Sequence, residues 1–294
     1  MPELPEVETV ARGLHQALAG RTIRGVVVLW PRTVATPAVQ ERIVGRRVQS
    51  VSRRGKYVVI SLDQGFVLVH LKMSGRLHLV PAQTPLHRHT RFFLDLDDGR
   101  QLRFQDARKF GRLYLVDDVT EVTARLGPEP LADEFTLDEF RRLLARRSGR
   151  LKPLLLNQSF LAGVGNIYAD EALFAARLHP LRQAGSLSAG EQERLYQALR
   201  TVLAQAITGR GTTLDDQGYT DAEGRAGGYQ EQLAVYGRQG KPCPACGTPI
   251  ERLVIGGRSA HFCPQCQPIQ EGSSTMFDST SPLPSGPLPL SELV

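Results

Sequence analysis

Leu126-Gly127-Pro128-Glu129-Pro130-Leu131 divides this chain into two stretches whose apolar residues recur with different periods. Each proline fixes φ and removes a backbone donor, so neither a helix nor a sheet ladder runs through the segment. On its N-terminal side the apolar residues come in short runs: Val26 to Leu29, Tyr57 to Leu62, Phe66 to Leu71, Leu77 to Val80, Phe92 to Leu94, Leu102 to Phe104 and Leu113 to Val116. Turn residues such as Asp63-Gln64-Gly65 and Asp97-Asp98-Gly99 punctuate them. Many short strands at such spacing predict a mainly antiparallel β-sandwich or barrel. Ahead of them, residues 5–18 put Val7, Val10, Ala11, Leu14 and Leu18 on one face, which predicts a helix.

On the C-terminal side the pattern turns helical. Thr136-Leu137-Asp138-Glu139 and Ser188-Ala189-Gly190-Glu191 have capping-box form, and Leu195, Leu199, Val202, Leu203 and Ala206 make one apolar stripe. Between them, Gly163-Val164-Gly165-Asn166 reads as a glycine-rich turn opening a helix. Its N–H groups and Asn166 can hold a phosphate, or its glycines can serve close packing; the residues alone leave both open. Residues 209–230, rich in glycine and polar groups, have the length of a functional or disordered loop. The expected organisation is a β domain over 1–131, a helical domain over 132–236, a metal module over 237–267 and a disordered Ser/Pro-rich tail over 268–294.

Cys243-Pro-Ala-Cys246 and Cys263-Pro-Gln-Cys266 leave 16 residues between the pairs, which fits a zinc template. Four thiolates make a closed, structural tetrahedral site. Ile250 to Ile255 and Ala260 to Phe262 suit a hairpin whose turn, Gly256-Gly257-Arg258, projects an arginine. Such a finger can contact DNA; zinc ribbons also serve as structural or protein-binding modules.

The formal charge of +6 over 294 residues favours a polyanionic partner, weakly. Arg46-Arg47, Arg53-Arg54, Arg141-Arg142 and Arg146-Arg147 strengthen that reading unless they are solvated surface charge. No secretory signal and no run of about 18 apolar residues is present, so a cytoplasmic protein is expected. His70-Leu71-Lys72-Met73-Ser74 and Asp106-Ala107-Arg108-Lys109-Phe110 combine cations with apolar residues near turns. Such residues can wedge into a base stack, although methionine and phenylalanine are more often core.

Met1-Pro2-Glu3-Leu4-Pro5-Glu6 carries the candidate chemistry. A small residue after Met1 favours its removal, leaving Pro2 as a terminal secondary amine. An α-amine titrates near 7.7–8.0, roughly, so an uncharged nucleophile for Schiff-base chemistry exists at neutral pH. Glu3 beside it can move protons. Alternatively the stretch is a helix start, with Pro5 at the first helical position and Glu6 and Glu8 favoured by the helix dipole. That alternative accounts for Pro5, Glu6 and Glu8 but leaves Pro2-Glu3 unexplained.

From Pro2 to Gln267 the chain resembles the formamidopyrimidine-DNA glycosylase family, through PELPEVET (2–9), GKY (55–57), HLKMSGRL (70–77), LGPEPL (126–131), GVGNIYADE (163–171), GTTL (211–214), VYGR (235–238) and the cysteine pairs. The resemblance implies an α+β fold: a two-layer β-sandwich with its first helix docked on it, then a helix–two-turns–helix domain ending in a zinc-finger β-hairpin. It implies a monomeric DNA glycosylase and abasic-site lyase that removes oxidised purines from double-stranded DNA, with one structural Zn2+ on Cys243, Cys246, Cys263 and Cys266. It makes Pro2 the nucleophile and Glu3 the proton donor in base release, and links Lys56 to β-elimination and Arg258 to δ-elimination. Met73, Arg108 and Phe110 become void-filling residues, His89, Arg108, Arg147 and Tyr236 DNA contacts, and His70, Asn166 and Arg258 a phosphate clamp. Asn157 stands where the family commonly has aspartate, and the loop after Thr213 is longer than the family's form. An endonuclease VIII-like enzyme for oxidised pyrimidines is the alternative; its N-terminus usually reads Pro-Glu-Gly-Pro-Glu, against Leu4 here. A zinc-ribbon DNA-binding module without activity is the other, and Pro2, Glu3 and Lys56 argue against it.

Overall fold

Glu3 starts the first helix, α1 (Leu4–Leu18), in the computed structural model, which describes residues 1–37, 39–214 and 218–269. Pro5 is therefore the second helical residue rather than the first, a position whose N–H has no intrahelical partner either. The expected tail from residue 270 onward and the loop residues Asp215, Asp216 and Gln217 lie outside the described residues.

Two four-stranded antiparallel sheets follow. One has the order β1-β6-β7-β5, from β1 (Ile23–Val28), β5 (Gly75–Pro81), β6 (Thr90–Leu96) and β7 (Arg100–Asp106). The other has the order β2-β3-β4-β8, from β2 (Val48–Arg54), β3 (Tyr57–Leu62), β4 (Phe66–His70) and β8 (Arg112–Val116). Their inner faces and the apolar stripe of α1 (Val7, Val10, Leu14, Leu18) share one core with Ile60, Val67, Leu94 and Phe104. Of two short helices, α2 (Val39–Ile43) buries Val39 and Ile43 in that core, and α3 (Thr120–Thr123) packs Val122 against Val59, Leu68 and Val116.

The pattern reading missed β2 and began β1 three residues late. The register of β2 shifts between Val48 and Ser50, and that of β1 between Ile23 and Gly25. Each shift turns two residues three apart, Val48 and Val51 or Ile23 and Val26, to the same core. A bulge inserts a residue and breaks the two-residue alternation by which strands are recognised.

The C-terminal half is helical: α4 (Leu137–Ala145), α5 (Leu151–Leu156), α6 (Asn166–Ala175) and α7 (Ala189–Thr208). Thr136 caps α4 by accepting from the Glu139 N–H, and Ser188 with Glu191 closes a full capping box on α7. The zinc-module hairpin is β9 (Glu251–Ile255) and β10 (Arg258–Phe262). Its two-residue turn is Gly256-Gly257, with φ of 56° and 72°. Arg258 is thus the first residue of β10, opposite Ile255, and not part of the turn as expected. Two left-handed residues match the strand twist and need glycine.

The halves interpenetrate. Leu4 belongs to the core of the helical half although Val7, one turn later, belongs to the sandwich. In the opposite direction, Tyr219 and Ala222 of the 209–230 segment are buried in the sandwich core, and Leu79 N–H donates to Ala222 O at 3.2 Å.

Candidate functional site

Pro2 and Glu3 are buried where the two halves meet. Leu4 N–H donates to Gly163 O at 3.0 Å, which docks the N-terminus on the glycine-rich turn before α6. The Glu3 carboxylate then accepts from the N–H of Ile167 at 3.0 Å and of Tyr168 at 3.4 Å. This anion at the helix N-terminus is the protein's own, so those donors are not open to phosphate. The glycines follow the packing reading. A Cβ on Gly165 would lie 2.3 Å from Glu3 Cδ, and one on Gly163 2.7 Å from Leu4 Cβ.

Glu6, buried beneath Glu3, accepts from Thr212 N–H at 2.7 Å, from Glu3 N–H at 2.8 Å and from the Tyr168 hydroxyl. Burial, then repulsion from Glu3, raises its pKa to about 7. Met1 is 43% exposed and lines two cavities. One, of 480 Å³, reaches Met73, His89 and Arg108; the other, of 20 Å³, is walled by Pro2, Glu6, Thr212 and Tyr219. Losing Met1 would join Pro2 to the larger space.

Lys56 comes from the turn between β2 and β3 and is 6% exposed. Burial lowers its pKa, opposed by Glu3 and Glu6 and reinforced by Arg258. One buried amine thus feels a carboxylate from the N-terminus and a guanidinium from the finger. Glu129 of the connector sets this turn, accepting from Gly55 N–H at 2.6 Å, Arg53 Nη1 at 2.6 Å and Arg54 Nη1 at 2.9 Å. Arg53 also pairs with Glu8 at 2.9 Å. Arg53-Arg54 is therefore neither a DNA patch nor solvated charge but the fixture of the Lys56 turn. No local pattern singles out Glu129, because its partners lie more than seventy residues away.

Met73 and Phe110 are 39% and 52% exposed, against the core reading of such residues. Their loops are tied by Asp106, which is 1% exposed and was not anticipated. Its carboxylate accepts from Ser74 Oγ at 2.5 Å, Arg108 N–H at 3.1 Å and Gly111 N–H at 2.7 Å. Arg108 Nη1 lies 3.4 Å from Met73 Sδ. His89 sits on the wall of the larger cavity with its ring 3.3 Å from Arg91.

His70 has its pKa lowered to about 3 by burial, with Lys72 and Lys56 adding to the effect. Its Nδ1 accepts from Lys72 N–H at 3.0 Å, which leaves the proton of the neutral ring on Nε2 as a donor. Asn166 Nδ2 donates to Ser259 Oγ at 3.2 Å. On the next turn of α6, buried Asp170 accepts from Lys152 Nζ at 2.6 Å and from His261 N–H at 3.0 Å. Glu171 accepts from the N–H groups of Ala234, Val235 and Tyr236, which orients the VYGR segment. α6 therefore fixes both β10, which carries exposed Arg258, and half-buried Tyr236. Arg147 is exposed just beyond α4, apart from this cluster. Asn157 Oδ1 accepts from Ser159 N–H and Oγ at 2.9 and 2.8 Å, a turn that an aspartate oxygen also makes.

The four cysteine sulfurs lie within 4.8 Å of one another, with Cys243–Cys266 at 3.9 Å and Cys246–Cys263 at 3.4 Å. A tetrahedral ion with Zn–S bonds of about 2.3 Å requires sulfurs about 3.8 Å apart. Ala245 and Cys266 N–H groups point at Cys243 and Cys263 sulfurs, both at 3.4 Å, as outer-shell support. The residues fit zinc.

Three family models match in chain order. They describe the formamidopyrimidine-DNA glycosylase N-terminal domain over residues 1–113, the formamidopyrimidine-DNA glycosylase H2TH domain over 126–217, and the zinc finger found in FPG and IleRS over 240–269. The formamidopyrimidine-DNA glycosylase of Herpetosiphon aurantiacus is 53% identical over 274 residues, covering 91% of this chain and 100% of that protein. That of Thermus thermophilus is 52% identical over 272 residues, covering 91% and 98%. Among solved structures, the MutM (Fpg) protein of Thermus thermophilus superposes with a TM-score of 0.83 at 48% identity, over 90% of this chain and 98% of that one. The complex of Lactococcus lactis Fpg with abasic-site DNA superposes with 0.85 at 34% identity, over 91% and 100%.

Proposed function

The chain belongs to the formamidopyrimidine-DNA glycosylase family, and on that premise we propose that the cleft at Pro2 excises oxidised purines from duplex DNA and then cuts the strand. The protein is a DNA glycosylase of base excision repair, with one structural zinc ion in its finger. After Met1 is removed, the Pro2 lone pair forms a bond to C1′ as the bond from C1′ to the base breaks. The base leaves with that electron pair and takes a proton from Glu3, whose carboxylate has first drawn it from the protonated Pro2 amine. The C1′–O4′ bond then breaks, O4′ taking the proton that the Pro2 nitrogen gives up. The resulting open-chain iminium draws electrons from C2′, so the C2′ proton becomes removable and its loss expels the 3′-phosphate. Lys56 suits that proton transfer because burial disfavours its ammonium form. Arg258 acts on the second, δ-elimination and, with His70 Nε2–H and Asn166, grips the phosphate. Met73, Arg108 and Phe110 fill the space the flipped nucleotide vacates. His89, Arg147 and Tyr236 touch the flanking DNA.

The observation that carries this reading is the seat of the N-terminus, where Leu4 N–H on Gly163 O and Ile167 N–H on the Glu3 carboxylate, both at 3.0 Å, hold Pro2 on a cavity wall between the halves. The Lactococcus lactis relative was solved with DNA bearing an abasic site or Fapy-dG, and a further structural neighbour with carbocyclic 8-oxo-G, which supports the same substrates here. One chain supplies every proposed group, which supports action as a monomer. Among the described residues no helix is long and apolar enough to cross a membrane; a chromosomal substrate puts the enzyme at the nucleoid in the cytoplasm.

Borohydride reduction of the complex with abasic DNA should give a covalent adduct on residue 2. Glu3→Gln should slow release of 8-oxoguanine by about 10²–10⁴-fold while cutting pre-formed abasic sites far better, since no base remains to be expelled. An adduct on Lys56 in place of Pro2 would overturn the assignment.

A further inference from the structure

Lys109 holds φ at 62°, one of four non-glycine residues with positive φ among the described residues, and it immediately precedes Phe110. Glycine adopts that conformation freely, whereas a lysine is strained there unless its surroundings hold it. Its Nζ lies 4.0 Å from the centroid of the Trp30 ring, well inside the reach of about 6 Å for a cation over an aromatic face. A lysine serving only to attract phosphate would extend into solvent; this one folds back over an indole.

Trp30 is in turn tied to the root of the same loop. Its N–H donates to Arg91 O at 3.0 Å, and Arg91 Nε donates to Asp106 O at 2.7 Å. Asp106 fixes the loop at Arg108 and Gly111. Arg112 Nη1 donates to the carbonyls of Lys109, Phe110 and Gly111 at 3.4, 3.3 and 3.0 Å. Both loop roots are therefore pinned, and the Lys109 side chain ties the apex back to the sandwich. The Phe110 ring is half exposed, so the loop backbone rather than packing sets its direction.

We infer that Trp30 and Lys109 form a brace that aims Phe110 at the DNA, making both positioning residues for the wedge. The inference rests on the reading above in which Phe110 enters the base stack.

The test compares Lys109→Met, Lys109→Arg, Trp30→Leu, Trp30→Phe and Phe110→Ala in the full-length, zinc-loaded protein. Lys109→Met and Trp30→Leu should each slow 8-oxoguanine excision from duplex DNA about tenfold, within the roughly 10²-fold that a misplaced group can cost. Combined, they should be no slower than either alone, because they break one contact. Lys109→Arg and Trp30→Phe, which keep a cation over a ring, should stay near the parent. Borohydride trapping on single-stranded abasic DNA, which has no stack to part, should match the parent for the Lys109 and Trp30 variants. If Lys109→Met weakens binding and flattens its salt dependence while Trp30→Leu behaves as the parent, Lys109 is a phosphate contact and the brace is wrong. Additive losses, or none, overturn it equally. If Phe110→Ala leaves duplex excision unchanged, the wedge reading fails and the brace with it. If Phe110→Ala alone is impaired, only the brace fails.

Discussion

Burial at the α1 start, with Glu3 close by, raises the Glu6 carboxyl from an ordinary 4.5 to about 7. The folded state thus binds this proton more tightly than the unfolded chain does. Its contribution to stability is complete below pH 4.5 and is lost as pH rises through 7, amounting to roughly 3 kcal/mol at most. Glu6→Gln should remove that dependence. Urea unfolding of both proteins between pH 4.5 and 7 should show their stability difference changing with pH, and a constant difference would sink the assignment. Pro2 and Glu3 were legible as candidate chemistry because a terminal secondary amine with an acid beside it is itself the signal, whereas Lys56 entered only through the resemblance. Glu129, Asp106, Asp170 and Glu171 were not. Each is an ordinary acid that matters through a donor brought to it from elsewhere in the chain, Ser74 from 32 residues away for Asp106 and donors 63 to 65 residues away for Glu171.

Among the elements, the zinc finger is the most legible and the least able to stand alone. Its core comprises Val235, Cys243, Ile250 and Cys263, with Phe174 of α6 packed against it. So little apolar surface leaves the metal to supply the folding energy. Cys243→Ser should lose zinc, loosen the hairpin and weaken DNA binding; normal affinity in a zinc-free protein would refute this. Arg258→Ala should keep the zinc, lower affinity and reduce the salt slope of binding by about one phosphate contact, with less δ-elimination product. An unchanged slope would remove the phosphate role. The strands of the sandwich were legible where a short apolar run is buried on both faces, as in β3 and β4. They were lost where bulges in β1 and β2 shift the register.

At the scale of the whole molecule, the halves are joined by an exchange of segments. Leu4, fully buried, fills the helical core, while Tyr219 and Ala222 from the C-terminal half fill the sandwich. Pro2 and Glu3 are held where the halves meet by this exchange, so the geometry there and the docking are one problem. Leu4→Ala should cost about 2–5 kcal/mol, as buried leucines do, and should slow base excision because Glu3 loses its seat on α6. Denaturant unfolding beside an 8-oxoguanine assay measures both. Loss of stability with unchanged excision would show that Leu4 packs without positioning the site.

By itself the sequence determined the division into an antiparallel β half and a helical half, the zinc ligands, and the residue types able to do imine chemistry. These depend on local properties: periodicity, backbone restriction at prolines, ligand spacing and intrinsic pKa. Only the tertiary structure decided which reading of the ambiguous stretches holds. It gave the α6 start to Glu3 instead of phosphate, turned Arg53 and Arg54 inward onto Glu129, and left Met73 and Phe110 in solvent. The reason is physical. A charge or an apolar side chain acts according to the partners and water around it, and those are set by contacts between residues far apart along the chain.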